Sequence, residues 1–169
     1  MNRLMLVDDE KYILNALYRT LYNEGYEIEL YDDPREALQC ARTTPFDLVI
    51  SDYRMPEMDG VSFLVSFKKF QSDAVRMMLS GYADLDALQG AVNEAEIFRF
   101  IAKPWQDYDL KIVIAHALAH QAVLSENKRL ADQVREQQET LDMLEKKYPG
   151  ITHVKRAPDD SIILDESDV

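Results

Sequence analysis

This sequence predicts an α/β fold, a doubly wound parallel sheet of five strands. Two observations carry that reading. Short apolar runs and helical apolar patterns alternate five times over about 115 residues. The run Leu48-Val49-Ile50 has no polar interruption, which suits a strand covered on both faces in the middle of a parallel sheet.

The elements follow in order. Leu4-Met5-Leu6-Val7 is an apolar strand that ends in Asp8-Asp9-Glu10. Ile13, Leu14, Leu17 and Leu21 keep helical spacing, and Gly25 suits the cap where that helix stops. Tyr26, Ile28 and Leu30 alternate with Glu27 and Glu29, a pattern that protects an edge strand from pairing with another chain. Asp33-Pro34 opens the second helix, with Asp as cap and Pro at the first position, and Ala37, Leu38 and Ala41 form its buried face. After Pro45 the third strand starts at Phe46 and stops at Asp52.

Val61, Leu64, Val65 and Lys68 trace an amphipathic third helix after Gly60. Val75 to Ser80 is the fourth strand, closed by Ser80-Gly81, and Asp84 to Val92 the next helix. Ile97 to Ala102 is the fifth strand, ended by Lys103-Pro104-Trp105, and a long helix starts near Asp107.

Composition narrows the function. The formal net charge is −12 and no basic stripe is visible, which argues against a nucleic-acid surface. Apolar stretches are too short to span a membrane, and Met1-Asn2-Arg3 leads straight into a strand and then acids, unlike a signal peptide. The lone Cys40 has no internal partner and reads as a small core residue of a cytosolic protein.

Ligands of open parallel sheets bind at the carboxyl ends of the strands. Those ends carry Asp8, Asp9, Asp52, Ser80 and Lys103. Taken singly, each has an ordinary role: the acids as caps, Ser80 as a turn residue, Lys103 as a surface lysine. Taken together they suit one reaction. Three carboxylates at one rim repel one another, and Mg²⁺, which takes carboxylate, water and phosphate oxygens, removes that conflict. Lys103 is a point charge for a phosphoryl oxygen, and Ser80 donates a hydrogen bond to another. The set suits transfer of a phosphoryl group onto a carboxylate.

With these residues in hand, the chain resembles the receiver domain of bacterial two-component response regulators. The resemblance rests on Val7-Asp8-Asp9-Glu10, Asp52, Met55-Pro56-Glu57-Met58-Asp59-Gly60, Ser80-Gly81 and Lys103-Pro104, and covers about residues 1–120. It implies a flavodoxin-like sheet of order 2-1-3-4-5. It implies that Asp52 accepts phosphate from a histidine kinase or phosphotransfer protein. Asp9 then binds Mg²⁺ directly, Asp8 through water, and Arg54 through its backbone carbonyl. Lys103 and Ser80 contact the phosphoryl group, and Phe100 takes the place of the aromatic switch residue. It also implies a cis Lys103–Pro104 bond.

Such a protein catalyses its own phosphorylation and dephosphorylation at Asp52 and is otherwise no enzyme. Ser80 moving inward and Phe100 packing behind it shift the population of output surfaces. Arg54 and Tyr82, each two positions beyond a site residue, overhang the phosphoryl group. Trp105 and Ser80-Gly81-Tyr82-Ala83-Asp84 look like the receivers often attached to cyclic-dinucleotide phosphodiesterase or other enzyme domains.

Beyond the receiver, no Pro or Gly occurs from Asp107 to about Lys147. Val123, Asn127, Leu130, Val134, Gln137, Leu141, Leu144 and Tyr148 recur at alternating spacings of four and three, a heptad seam. Val134 at a with Leu130 at d favours two strands, and Asn127 at a fixes register. We expect a receiver over 1–120, a parallel homodimeric coiled coil over 121–148 continuous with the last receiver helix, and an acidic hairpin or disordered tail over 149–169. A helix folded back on its own receiver is the other reading of the seam. His116 and His120 share a helix face but lack further ligands, and read as surface residues.

Three alternatives compete with the signalling switch, whose output partner the residues do not name. A constitutive dimeric scaffold conflicts with the retained acids and Lys103. A regulatory fragment of a larger protein with an output enzyme domain fits the same residues. A Mg²⁺-dependent phosphohydrolase lacks its usual Asp-x-Asp, because Arg54 follows Asp52 by two.

Overall fold

The computed structural model describes residues 1–81 and 94–149. Its strands are β1 (Arg3–Val7), β2 (Glu27–Tyr31), β3 (Leu48–Asp52), β4 (Val75–Gly81) and β5 (Arg99–Lys103). Its helices are α1 (Lys11–Leu21), α2 (Pro34–Ala41), α3 (Gly60–Phe70) and α4 (Asp107–Lys147). The helix expected over Asp84 to Val92, Tyr82, and all but Pro149 of the hairpin or tail expected over 149–169 lie outside the described residues.

The strands form one sheet in the order β2-β1-β3-β4-β5, with every neighbouring pair parallel. This is the order the resemblance implied. The direction of winding reverses between β1 and β3, which opens a crevice at their carboxyl ends.

Alternation along the strands divides the core in two. Leu4, Leu6, Leu48, Ile50, Met77 and Leu79 face α1 and the first turns of α4, against Leu14, Leu17, Leu110 and Ile114. Met5, Val7, Val49 and Met78 face the other way, onto Ala37 and Ala41 of α2 and Phe63, Leu64 and Phe67 of α3. Both faces of β1 and β3 are therefore covered, and this is why their sequences are continuously apolar.

Several boundaries differ from the expectation. β3 starts at Leu48, because the Phe46 amide is taken by the Gln71 side chain at 2.7 Å. β5 runs Arg99–Lys103, so Lys103 belongs to the strand. α1 stops at Leu21, and Gly25, at φ +77°, closes the turn beyond it instead of capping the helix. On β2, Leu30 is exposed while Glu29 is half-buried, its carboxylate accepting from the Tyr31 hydroxyl at 2.6 Å. Cys40 is half-buried at the margin of the core, its thiol 3.7 Å from Glu29.

One buried charge had no counterpart in the sequence reading. Arg76 of β4 is 6% exposed. Its guanidinium donates to the carbonyls of Ala95, Ala74 and Ser72 at 2.8–2.9 Å and lies 3.3 Å from Glu96. Burial pulls its pKa down, but carbonyl acceptors on several sides satisfy the cation.

The chain forms two compact units, Met1–Leu124 and Ser125–Val169. In the second, the described helical residues are exposed apart from a partial cover at Glu145, and carry short-range ion pairs such as Arg129–Glu126 at 2.7 Å. Among the described residues no helix is long and apolar enough to cross a membrane.

Candidate functional site

The site is assembled from strand ends. Asp52 is the last residue of the central strand β3 and is 6% exposed. Its Oδ2 accepts the Arg54 backbone amide at 2.7 Å, and its Oδ1 lies 2.5 Å from Lys103 Nζ. The same ammonium lies 2.8 Å from Oδ2 of Asp8, which is fully buried, and Oδ1 of Asp8 accepts the Glu10 amide at 2.8 Å. Residues 8, 52 and 103 thus meet at one point although they are far apart in sequence.

Electrostatics follow from that packing. Burial pushes the Asp8 carboxyl above its ordinary range, and hydrogen bonds from Lys103 and the Glu10 amide offset this only in part. For Lys103, burial pulls the ammonium down, but the hydrogen bonds to Asp52 and Asp8 outweigh it and hold its pKa above the ordinary value. One cation is shared by two buried acids, so the site has an excess of negative charge.

Ser80 is 1% exposed, and its hydroxyl has no hydrogen-bond partner among the described residues. It follows Leu79, the β4 residue paired with Asp52, and is itself paired with Ala102, next to Lys103. Leaving a buried hydroxyl unmatched costs about 1–3 kcal/mol. Phe100, half-buried on β5 and paired with Met78, packs against the second core face.

Asp9 is exposed. It lines a cavity with Asp32, Asp33, Pro34, Arg35, Pro56 and Glu57. Among the described residues no three His, Cys, Asp or Glu side chains converge closely enough to hold a metal by themselves. His116 and His120 are exposed on α4, the latter with its ring 6.0 Å from Phe98. The Lys103–Pro104 bond is cis.

The loop from Asp52 to α3 is fixed at both ends. A Cβ on Gly60 would collide with the Asp52 carbonyl oxygen, and the Gly60 amide donates to the Tyr53 carbonyl at 2.9 Å. Asp59 caps α3 by accepting the Ser62 amide at 2.8 Å. Within the loop, Met58 N–H donates to the Pro56 carbonyl at 2.7 Å across Glu57, which sits at φ +66°. That is a γ-turn of the rarer, strained hand. The Glu57 carboxylate forms an ion pair with Arg35 of α2. Sequence reasoning gave Glu57 no role beyond its place in the motif and none to Arg35, since nothing local links them.

The arrangement brings a carboxylate, a fixed cation and an unused buried hydroxyl around one spot. These are what a phosphoryl group requires of an acceptor site: a nucleophilic oxygen and preplaced donors for the phosphate oxygens.

Known proteins share this fold. The family model described as "Response regulator receiver domain" matches residues 4–115. The hydrogenase transcriptional regulatory protein HoxA of Cupriavidus necator is 32% identical over 132 residues, covering 78% of this chain and 27% of that protein. The chain spans about a quarter of the length of the curated relatives it matches. A solved structure titled as adenylate cyclase from Rhodopirellula baltica aligns with TM-score 0.72 at 33% identity, covering 78% of this chain and 98% of that one. The signal receiver domain of an HD domain-containing protein from Pseudomonas fluorescens aligns with TM-score 0.70 at 34% identity, covering 74% and 92%.

Proposed function

The chain belongs to the response regulator receiver domain family, and from that premise we propose that Asp52 is its phosphoacceptor. Receivers act in phosphorylation-based signalling, typically with a histidine kinase as partner, and are not enzymes in the usual sense. One observation supports Asp52 above all. Its carboxylate lies 2.5 Å from Lys103, which also holds the buried Asp8, beside a Ser80 hydroxyl with no partner among the described residues.

In this reading an Asp52 oxygen forms a bond to phosphorus as the donor's P–N bond breaks, and the electron pair leaves on the donor nitrogen. Lys103 then turns to a phosphoryl oxygen, and the Ser80 hydroxyl donates to another. Phe100 fills the space behind Ser80. The receiver family works with Mg²⁺. The residues here fit it, because two buried acids share a single ammonium and Asp9 adds an exposed hard-oxygen donor. Asp9, Asp52, Asp8 through water, and the Arg54 carbonyl would hold it. When bound, Mg²⁺ offsets negative charge on the transferring group.

We further infer that the distal part of α4 pairs with a second copy as a parallel coiled coil. Val123, Leu130, Val134, Leu141, Leu144 and Tyr148 are each at least 40% exposed, and with Asn127 and Gln137 they keep the heptad spacing. A seam of apolar side chains left in water gains by burial against its own copy.

The test joins mass spectrometry to light scattering at tens of micromolar (roughly the range where coiled-coil pairs form), with and without Mg²⁺ plus acetyl phosphate or beryllofluoride. It compares the native chain with Asp52→Ala. One phosphoryl group on the native chain and none on the variant supports the assignment, and a dimer that Val134→Glu dissociates supports the coiled coil. If the native chain takes no label, the constitutive scaffold is the better reading, and a monomer removes the coiled coil.

A further inference from the structure

We propose that Arg35 and Glu57 form a positioning latch that holds the β3–α3 loop against the Asp9 cavity and so sets Mg²⁺ affinity. The inference rests on the receiver reading of Asp52 and Asp9. Three features carry it.

First, Glu57 is a non-glycine residue at φ +66°, at the apex of the γ-turn closed by Met58 N–H and the Pro56 carbonyl. An L-residue keeps that conformation only where its surroundings impose it. Second, the Arg35 side chain reaches the turn from α2 and ion-pairs Glu57. Arg35 is itself anchored, since its amide donates to the capping Asp33 carboxylate at 2.7 Å. Third, both residues line the cavity that contains Asp9. Met55 anchors the middle of the loop in the second core face, with Met58 packed against it, and backbone hydrogen bonds tie it near its ends, at Arg54 and Gly60. The latch therefore bears on where the tip of the loop, Pro56 and Glu57, stands opposite Asp9.

Charge makes the idea testable, because electrostatics and positioning predict opposite signs. Arg35 is a cation beside an acidic cavity, so by charge alone its removal tightens Mg²⁺ binding. If it positions the loop, its removal weakens binding. Both side chains are largely exposed, and the effect expected of such a pair is about three- to fivefold.

The experiment is calorimetric Mg²⁺ titration of the full chain, beside the rate of phosphorylation by acetyl phosphate. It compares native protein with Arg35→Ala, Arg35→Lys, Glu57→Gln and the control Asp9→Asn. The expected result is three- to fivefold weaker Mg²⁺ binding and slower labelling for Arg35→Ala and Glu57→Gln, with recovery in Arg35→Lys. Tighter or unchanged binding in Arg35→Ala overturns the latch. If native protein binds Mg²⁺ and Asp9→Asn does not, the receiver reading stands whatever the latch does. If native protein binds no Mg²⁺ and takes no label, the receiver reading fails and the latch falls with it. Circular dichroism of each variant separates loss of positioning from loss of fold.

Discussion

Lys103 on the edge strand β5 reaches across β4 to within 2.5 Å of Asp52 on β3. The same ammonium contacts the buried Asp8, so a single cation neutralises part of two carboxylates.

Removing that cation should therefore strand two acids. Lys103→Met is expected to lower stability by about 1–3 kcal/mol at neutral pH. The loss should shrink as pH falls, because burial raises the Asp8 pKa and the acid takes up its proton sooner than an ordinary carboxylate. Lys103 itself has a raised folded pKa, so its contribution in the native chain is fully present below 10.5 and is lost as pH rises through the folded value. Urea midpoints across pH check both statements; a loss that grows toward acid contradicts them.

Asp8 gives the opposite sign from most carboxylates. Its folded pKa lies above the ordinary 3.8, so the folded chain holds this proton more tightly than the unfolded one. Its contribution is present below pH 3.8 and is lost as pH climbs through the folded value. Asp8→Asn should raise the melting temperature at neutral pH in EDTA, with the gain vanishing below 3.8. Added Mg²⁺ should stabilise native protein more than the variant. Scanning calorimetry at a series of pH values, with EDTA or Mg²⁺, decides it.

Ser80→Ala should separate stability from signalling. The hydroxyl is buried without a partner among the described residues, so its removal is expected to stabilise the resting protein by about 1 kcal/mol. The phosphorylated form should lose a donor to the phosphoryl group. Denaturation of the resting form, followed by the rate of aspartyl-phosphate decay, measures the two effects. A destabilised resting form would mean that Ser80 has a partner after all.

Gly60→Ala tests how tightly the loop is seated. A methyl there would meet the Asp52 carbonyl oxygen, and would also lie 2.9 Å from its carbon and 3.1 Å from Tyr53 Cα. The expected cost is about 1–3 kcal/mol. Phosphoryl uptake should fall too, because relief of the clash moves Asp52. A variant with native stability and native uptake would show the loop to be softer than its packing implies.

By itself the sequence determined the strands, most of the helices and the residues at the strand ends. This was possible because those signals are local. A strand covered on both faces must be apolar at every position, as Leu4 to Val7 and Leu48 to Ile50 are, and Asp33-Pro34 starts a helix through neighbouring backbone groups. Tertiary structure decided the rest. No periodicity says that Lys103 will touch Asp8, 95 positions earlier, or that Arg35 will pair with Glu57 of the γ-turn. Nor does a strand pattern show that Arg76 can be buried, since its partners are carbonyls on other segments. Such contacts depend on parallel crossovers that bring distant strand ends side by side. The resulting burial then sets the charge balance, raising Asp8 and leaving Ser80 without a partner among the described residues.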